Sequence, residues 1–346
     1  MKKTLPVLIG LAALFTLLGC DNGNNNNDPV TEEIKNFNYS DWMSPIADAM
    51  PLRNLLIPGA HDAATYRNDV LAPASLKCQN TDFDQQLNQG IRFFDLRVGI
   101  KSSDGEVGFY HGSEFLGYLH VDLPDFLTIA ANFLGSHEKE SLIITLKQEH
   151  DGNSDLLPGK INSLIALYPS LFYSGGKKMA ELTLGDVRGK IILWDRSFGD
   201  ESNESKLFYG EYIYMDSSTM YPIPGHNFRV QDLYNPAPSA GTNNDQKMKE
   251  LTKLKSTAIE ACFEDAVKPE NSAIMYANFF NISGFLSNWS TAQHILDAVW
   301  EQWFTRPDAR GIIPMDFYNG GELEYSSSTG VQRQYVYQMI HANYQK

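Results

Sequence analysis

Ionisable side chains follow several short apolar runs of this sequence, at the points where predicted β-strands end. The first run leads into His61 and Asp62, and later ones lead to Asp95, His111 and Asp316. Because the carboxyl ends of parallel strands converge on one mouth of an α/β barrel, we expect these groups to meet there. One imidazole could take a proton from an attacking hydroxyl while the other protonates a leaving oxygen. These are the parts needed for acid–base cleavage of a phosphodiester.

Arg97 bears on whether a metal ion takes part. It stands two residues after Asp95, so both side chains point to the same face of a predicted strand. A guanidinium there can bind non-bridging phosphate oxygens and stabilise their developing charge. Four groups could instead be ligands of Zn²⁺ or Ca²⁺, namely His61, Asp62, Asp95 and His111. The fixed cation repels a divalent ion, so the sequence favours a site without a metal.

The elements that position these residues alternate between strand and helix patterns. Most strand candidates are continuous apolar runs, typical of strands buried on both faces: Leu52–Ile57, Ile91–Ile100, Val107–Tyr110, Ser141–Lys147, Lys190–Trp194, Phe228–Gln231, Ala273–Phe279 and Gly311–Phe317. The helix candidates have apolar residues three to four apart: Asp125–Leu134, Leu157–Tyr168, Gln246–Glu264, Thr291–Phe304 and Gln332–Ala342. This alternation predicts an α/β fold with a largely parallel sheet, either doubly wound or closed as a barrel.

Composition and missing motifs exclude several classes of protein. The chain has 346 residues, 42% of them hydrophobic, which is enough for a large core. Its formal net charge of −14 excludes a broad electrostatic grip on nucleic acid or on an anionic membrane. The sequence contains neither GxGxxG nor GxxxxGKS/T, which disfavours a nucleotide-binding fold. We therefore expect no nucleic-acid partner.

The N-terminus is typical of an export signal. Two lysines precede an apolar run, residues 5–19, that is too short to span a membrane. The run ends Leu-Leu-Gly-Cys20, which resembles a bacterial lipobox with Cys20 as the lipidated residue; the alternative is an ordinary signal peptide with a chance cysteine. Residues 1–19 are predicted to be a lipoprotein signal peptide and residues 20–38 a flexible tether. This predicts an exported bacterial lipoprotein of the cell envelope or cell surface.

Residues 39–346 contain no strong linker and are predicted to form a single domain. This segment has two cysteines, Cys78 and Cys262, and neither lies in a CxxC or a Cys/His zinc spacing. In an oxidising compartment the two could form a disulfide, or they could remain as buried thiols. The sequence alone leaves both readings open.

Several segments resemble bacterial phosphatidylinositol-specific phospholipase C of the X-domain type. In chain order they are Trp42–Met43, Ile57–Thr65, Gln86–Arg97, Tyr110–Gly112, Ile144–Glu149, Leu184–Leu193, Val230–Tyr234 and Asp316–Tyr318. The resemblance implies a distorted, incomplete TIM-type (β/α) barrel. It implies cleavage of phosphatidylinositol, or of a glycosylated inositol phospholipid, to diacylglycerol and a cyclic inositol phosphate. It also implies a phospholipid substrate at a membrane interface and no cofactor. We expect the protein to be a monomer.

The resemblance assigns catalytic roles to the residues described above. His61 would be the general base on the inositol 2-hydroxyl, oriented by Asp316. His111 would be the general acid toward the diacylglycerol oxygen, helped by Asp62 and Asp95. Arg97 matches the arginine that stabilises the phosphoryl charge. The calcium-dependent relatives carry an acidic residue at that position, so the resemblance implies the metal-independent branch.

Other residues match positions that contact substrate or membrane. Those that would contact inositol are Lys147, Arg196, Asp232 and Tyr234, the last as a stacking platform. Asp195 lies beside Arg196 and departs from the family pattern, which leaves the specificity for the headgroup open. The segment Asn281–Ser290 matches an apolar rim loop that enters the bilayer interface. Its candidate membrane residues are Phe285, Leu286 and Trp289; the alternative is a loop folded over the core.

Two other functions remain possible from the sequence. One is a metal-dependent phosphodiesterase acting on glycerophosphodiesters, which would need the metal ligands described above. The other is a non-catalytic surface lipoprotein that binds inositol or glycans in the same pocket. The set of two histidines, an arginine and several carboxylates argues against the second, because binding alone needs no matched acid and base.

Overall fold

A computed structural model describes residues 36–66, 77–112, 118–150, 154–199, 202, 204–214, 221–223, 225–237, 239, 243–282, 288–319 and 335–346. The described residues from Asn38 to Lys346 form one compact unit. Residues 1–19, Cys20 and nearly all of the predicted tether lie outside the described residues, as do Phe285, Leu286 and the side chain of Trp289. Within the described ranges, every helix is too short or too polar to cross a membrane.

In the described part of the chain, eleven strands form a single curled sheet: β1 Leu56–Ala60, β2 Phe93–Ile100, β3 Val107–Tyr110, β4 Tyr118–Asp122, β5 Leu142–Gln148, β6 Ile191–Asp195, β7 Gly210–Tyr212, β8 Tyr221–Ile223, β9 Phe228–Gln231, β10 Met275–Asn278 and β11 Gly311–Met315. Their order is β7-β6-β5-β2-β1-β11-β10-β9-β8, and β3 and β4 branch from β2. Every neighbouring pair from β7 to β9 is parallel, whereas β8 is antiparallel to β9. Among the described residues no ladder joins β7 to β8 or β9. The expectation of an incomplete TIM-type barrel is therefore confirmed.

Among the described residues, seven α-helices accompany the sheet: α1 Phe83–Asn88, α2 Leu123–Ser136, α3 Leu157–Ile165, α4 Leu184–Val187, α5 Asn244–Ala266, α6 Asn288–Trp303 and α7 Tyr335–Asn343. The five helices expected from the sequence correspond to α2, α3, α5, α6 and α7. The sequence missed α1, α4, β4, β7 and β8, because elements this short carry too few residues to show a period. The predicted strand Leu52–Ile57 is wrong at its start, since Leu52–Asn54 forms a 3₁₀ turn.

Cys78 and Cys262 are both buried, and they do not form a disulfide with each other. Cys78 lies beneath the mouth of the barrel, where its carbonyl accepts a hydrogen bond of 2.8 Å from the Phe317 N–H. Cys262 lies on α5 and packs with Ala266 and Tyr276. The two thiols therefore belong to different parts of the core.

Aromatic side chains fill the barrel below its mouth. Phe93 lies 6.0 Å from Trp194 and 6.3 Å from Phe279, measured between ring centroids. Trp194 in turn packs 5.0 Å from Phe228. All four side chains are essentially inaccessible to solvent. This apolar layer forms the floor of the mouth and strengthens electrostatic interactions above it, because it lowers the local dielectric constant.

A buried ion pair joins the start of β2 to the segment between α2 and β5. The Arg92 guanidinium lies 2.8 Å from Glu140 Oε2, and both side chains have 0% exposure. The same guanidinium donates to the carbonyls of Leu87 and Ile91, at 2.8 and 2.9 Å. The Phe133 ring lies 4.8 Å from the guanidinium carbon. Arg92 therefore stabilises the fold and lies outside the site.

Replacing Arg92 by methionine should lower the free energy of unfolding by about 3–5 kcal/mol, because the Glu140 carboxylate would stay buried without its partner. Urea unfolding of the variant measures this change. The double variant Arg92→Met/Glu140→Gln removes both charges and should recover part of the loss. Equal stability of the wild type and the single variant would contradict a structural role for the pair.

Candidate active site

The predicted catalytic residues meet at the carboxyl ends of three adjacent strands and one neighbouring hairpin. His61 follows β1, Asp316 follows β11, and these two strands pair in parallel with matched register. Asp95 and Arg97 lie on β2, which pairs with the other edge of β1. His111 follows β3, the antiparallel partner of β2. The mouth therefore assembles these residues from distant parts of the chain.

His61 is held on both sides of its imidazole ring. Its Nδ1 lies 2.7 Å from Asp316 Oδ1, and both side chains are almost fully buried. Its Nε2 lies 2.8 Å from Arg97 Nη2. Since a guanidinium can only donate, this contact requires a lone pair on Nε2 and places the ring proton on Nδ1, where it is donated to Asp316. Nε2 thus faces the mouth, where its lone pair would accept the proton of an attacking hydroxyl in place of the bond from Arg97.

The backbone beneath His61 and Asp316 is locally strained. Asp62 and Phe317, the residues that follow these two, have φ angles of 42° and 46°, in the left-handed region. Such angles are unfavourable for non-glycine residues and persist only where surrounding bonds enforce them. Here Gln79 supplies those bonds, since its Nε2 donates to His61 O at 2.7 Å and to Met315 O at 2.8 Å. The strained turns direct both side chains into the mouth.

The surroundings of His61 make it a stronger base. Burial lowers the pKa of the imidazole, but the carboxylates of Asp316 and Asp62 outweigh burial, so the pKa lies above its ordinary value. Arg97 opposes this rise only in part. The contact with Arg97 keeps the imidazole neutral in this geometry, and the raised pKa means that it accepts a proton more readily than an ordinary histidine.

The acid limb of the pH–rate profile should reflect this raised pKa. A general base must be unprotonated, so kcat/KM should fall as the pH drops through the pKa of His61, above the ordinary value near 6.5. The variant Asp316→Asn removes one cause of the raised His61 pKa. The acid limb of its pH–rate profile should therefore move to lower pH by about one pH unit. Steady-state kinetics from pH 5 to 9 checks this, with Asp308→Asn as an exposed control. A limb that moves to higher pH in the Asp316 variant would contradict the assignment.

Arg97 forms the centre of the site. Its Nε lies 2.5 Å from Asp62 Oδ1, and its Nη1 lies 3.4 Å from Glu149 Oε1. Burial lowers the pKa of the guanidinium, but Asp62 and Asp95 outweigh burial and raise it, so the group stays charged at every working pH. Only 14% of the side chain is exposed. The mouth therefore contains a permanent, rigidly held cation.

The residues at the mouth do not fit a divalent metal ion. His61, Asp62 and Cys78 are near enough to share an ion, since their ligand atoms lie within 4.8 Å of one another. Arg97 nevertheless contacts both His61 Nε2 and Asp62 Oδ1, which puts a cation where the ion would bind. In addition, burial raises the pKa of the Cys78 thiol well above its usual value, so the thiolate ligand is disfavoured.

Asp62 lies between the two imidazoles. Its Oδ2 is 3.6 Å from His61 Nε2 and 3.5 Å from His111 Nε2. The side chain of His111 is 18% exposed, against 6% for that of His61. His111 is therefore the more accessible of the two imidazoles, and Asp62 can stabilise it when it is protonated.

Two of the predicted substrate residues, Arg196 and Asp232, lie near each other at the mouth. Arg196 donates to Asp95 Oδ1 at 2.9 Å, lies 3.9 Å from Asp232 Oδ2, and sits 5.5 Å above the Phe279 ring. Burial raises the pKa of Asp95, but Arg196 and Arg97 outweigh burial and hold it well below its ordinary value. Within the described residues, Asp232 Oδ1 and Arg196 Nε are buried without a hydrogen-bond partner. These two atoms remain available to a polyhydroxylated ligand.

Tyr234 lies on the same turn as Asp232 but faces solvent more. Its backbone N–H donates to Asp232 O at 2.9 Å, and its side chain leaves the residue 46% exposed. An exposed phenol beside buried polar atoms is suited to stack on one face of a ring. Its predicted role as a platform remains a prediction.

Glu149 is a member of the site that the sequence analysis missed. Its Oε2 lies 2.9 Å from Lys147 Nζ, its Oε1 lies 3.4 Å from Arg97, and Oε1 also accepts from the Gly112 N–H at 3.3 Å. Burial raises the pKa of Glu149, but Arg97 and Lys147 outweigh burial and lower it. Its place directly after a strand end was the available signal. Glu149 links Lys147 to Arg97.

Asp195 faces away from the mouth. The sequence analysis had left open how this residue affects specificity for the headgroup. Its Oδ1 accepts from the backbone N–H groups of Ser197 and Phe198, at 2.9 and 2.7 Å. Its Oδ2 accepts from the Ser205 hydroxyl at 2.6 Å. The carboxylate shapes the turn after β6 and leaves Arg196 free to face the mouth, because successive strand residues point to opposite faces.

The fold and the site define the class of barrel phosphodiesterases that work by acid–base catalysis: a parallel barrel with two imidazoles and a fixed guanidinium at its carboxyl-end mouth. Comparisons with known proteins point to one family within this class of enzymes. Residues 50–197 match the family model "Phosphatidylinositol-specific phospholipase C, X domain". This part of the chain therefore resembles the X domain of that family.

Curated relatives and solved structures agree with that placement. The chain is 27% identical over 313 residues to a 1-phosphatidylinositol phosphodiesterase of Staphylococcus aureus, covering 85% of this chain and 87% of that protein. It is 34% identical over 176 residues to the Listeria monocytogenes protein of the same name, covering 49% and 52%. A solved S. aureus phosphatidylinositol-specific phospholipase C shares the fold with a TM-score of 0.72 at 23% identity, covering 88% of this chain and 98% of the other. The L. monocytogenes structure gives 0.66 at 25% identity, covering 89% and 99%.

Proposed function

We propose that this protein is a metal-independent phosphodiesterase that cleaves phosphatidylinositol, or a glycosylated inositol phospholipid, to diacylglycerol and a cyclic inositol phosphate. The observation that carries the proposal is the position of His61, whose Nδ1 contacts Asp316 and whose Nε2 contacts Arg97. This arrangement places a strengthened base next to a phosphate-binding cation. The names of the curated relatives support the same substrate.

The reaction follows from the groups at the mouth. His61 Nε2 takes the proton of the inositol 2-hydroxyl, and that oxygen attacks phosphorus while the bond from phosphorus to the diacylglycerol oxygen breaks. His111 gives its proton to the leaving oxygen, so one proton is taken up and one is released. Arg97 stabilises the charge on the non-bridging oxygens. Because the nucleophile belongs to the substrate, the attack is intramolecular and gains from proximity.

Activity in excess chelator tests the metal-independent mechanism. The rate of phosphatidylinositol cleavage should be the same with and without chelator, since Arg97 supplies the positive charge that an ion would otherwise bring. Added Ca²⁺ or Zn²⁺ should give no increase. Loss of activity in chelator that returns with a divalent ion would favour the metal-dependent alternative and overturn this proposal.

We further propose that the protein is exported and anchored through a lipid on Cys20, and that it acts as a monomer. Support comes from the apolar run of residues 5–19 that ends at Cys20 and from the Asn-rich stretch that follows it. Phe285, Leu286 and Trp289 would help the mouth meet a bilayer. Fatty-acid labelling of the wild type and of Cys20→Ser separates a lipid anchor on Cys20 from an ordinary signal peptide with a chance cysteine. The anchor predicts label on the wild type alone. Labelling of both, or of neither, would contradict the anchor.

A further inference from the structure

Lys255 lies where the helical spacing of α5 requires an apolar side chain. It shares the buried face of the helix with Met248, Leu251, Ile259 and Cys262. Its exposure is 0%. Removing an ammonium from water costs free energy that an apolar side chain at the same place would not. The contacts of the ammonium therefore indicate what its charge does.

The Lys255 ammonium is bonded to the turn that follows β9, residues 231–234, which we call the β9 turn. Its Nζ donates to Gln231 Oε1 at 3.2 Å and to the Leu233 carbonyl at 3.0 Å. Gln231 Oε1 also accepts from the Leu233 N–H at 2.7 Å, and Gln231 Nε2 donates to Phe279 O at 2.8 Å. These bonds fix the β9 turn to α5 and to the end of β10.

The β9 turn carries two of the residues assigned to the headgroup. Asp232 approaches Arg196, and within the described residues its Oδ1 is buried without a partner. Tyr234 is exposed at the end of the turn. We infer that Lys255 is a positioning residue for the inositol headgroup, which holds the β9 turn so that Asp232 and Tyr234 meet the bound ring. This inference rests on the function proposed above.

The charge of Lys255 is sensitive to alkaline pH. Burial lowers the pKa of the ammonium to about 8, while Asp232, Asp316 and Cys262, the ionisable groups that face it, act in the opposite direction. Its two acceptors are neutral amide oxygens, so neither adds a countercharge. The group is therefore charged at neutral pH and loses its proton as the pH rises through about 8. Substrate affinity should weaken over the same range.

Kinetics on a water-soluble short-chain phosphatidylinositol tests the inference. The variant Lys255→Met should raise KM about tenfold at pH 7, because the turn loses two charge-assisted hydrogen bonds. Its kcat should change less than its KM, since the hydrogen bonds of Lys255 go to the β9 turn and not to His61 or Asp316. In the wild type, KM should rise above about pH 8, whereas in the variant it should be high and constant from pH 7 to 9. Lys253→Met, on the exposed face of the same helix, should behave as the wild type.

Failure of the positioning role and failure of the proposed function give different experimental results. An unchanged KM in Lys255→Met, or a loss of kcat at unchanged KM, overturns the positioning role while the proposed function stands. If the wild type itself does not cleave the substrate, the proposed function fails instead. If Lys255→Met does not fold, the KM–pH profile of the wild type still decides, since a constant KM between pH 7 and 9 contradicts the inference.

Discussion

Replacing Arg97 by methionine should lower kcat by roughly 10³-fold to 10⁵-fold, the range found for arginines that stabilise a transferring phosphoryl group. Arg97 provides a charge that is already in place, so the protein need not reorganise as negative charge grows on the phosphoryl oxygens. Its loss would also release Asp62 and His61 from their contacts with the guanidinium. Steady-state kinetics on phosphatidylinositol in detergent micelles measures the effect.

Two control variants accompany this experiment, one that separates the charge of Arg97 from its shape and one at a distant arginine. Arg97→Lys keeps a cation but loses the planar fork, so it should retain more activity than the methionine variant and less than the wild type. Arg306→Met removes an exposed arginine that pairs with Asp308 and should leave kcat unchanged. Circular dichroism confirms folding of each variant. A folded Arg97→Met enzyme with kcat within tenfold of the wild type would contradict the role of the guanidinium.

Replacing either histidine by alanine should lower kcat by about 10²-fold to 10⁴-fold, the usual contribution of one acid or base. The two variants should respond differently to the leaving group. A nitrophenyl ester of inositol phosphate needs no protonation on departure, so it should restore much of the rate of His111→Ala. It should not restore the rate of His61→Ala, because the 2-hydroxyl would still lack its base.

This comparison assigns the two roles as well as testing them. His294→Ala, on an exposed position of α6, serves as the control and should leave both substrates unaffected. If the nitrophenyl substrate restored the rate of His61→Ala but not that of His111→Ala, His61 would be the general acid and His111 the general base, the reverse of the assignment made here. Equal rates for both variants and the wild type would contradict acid–base catalysis by these imidazoles.

The sequence was a good guide to which strand ends form the mouth. His61, Asp95 and Asp316 each lie at or after a strand that apolar patterning identifies. Parallel pairing then brings them together, whatever their separation along the chain. The spacing of two between Asp95 and Arg97 placed both on one face of β2, and both contact the catalytic centre. These inferences succeeded because they depend only on the periodicity of a strand.

Other features depend on long-range contacts that periodicity cannot express. Asp195 and Glu149 both lie at strand ends, yet one caps a turn and the other joins the site. Lys255 occupies a core position of a helix, and only the folded chain shows that it is bonded to the β9 turn. The strained backbone at Asp62 is likewise invisible in the sequence, because neighbouring segments enforce it.

Phosphorus NMR of the products formed in excess chelator tests the central claim most directly. With purified protein and phosphatidylinositol, the first product should be a cyclic inositol phosphodiester, since the substrate's own 2-hydroxyl attacks phosphorus with His61 as base. Any phosphomonoester should form only later, by hydrolysis of that ring. A phosphomonoester that accumulates from the start with no cyclic signal, or the absence of any turnover in chelator, would contradict the account.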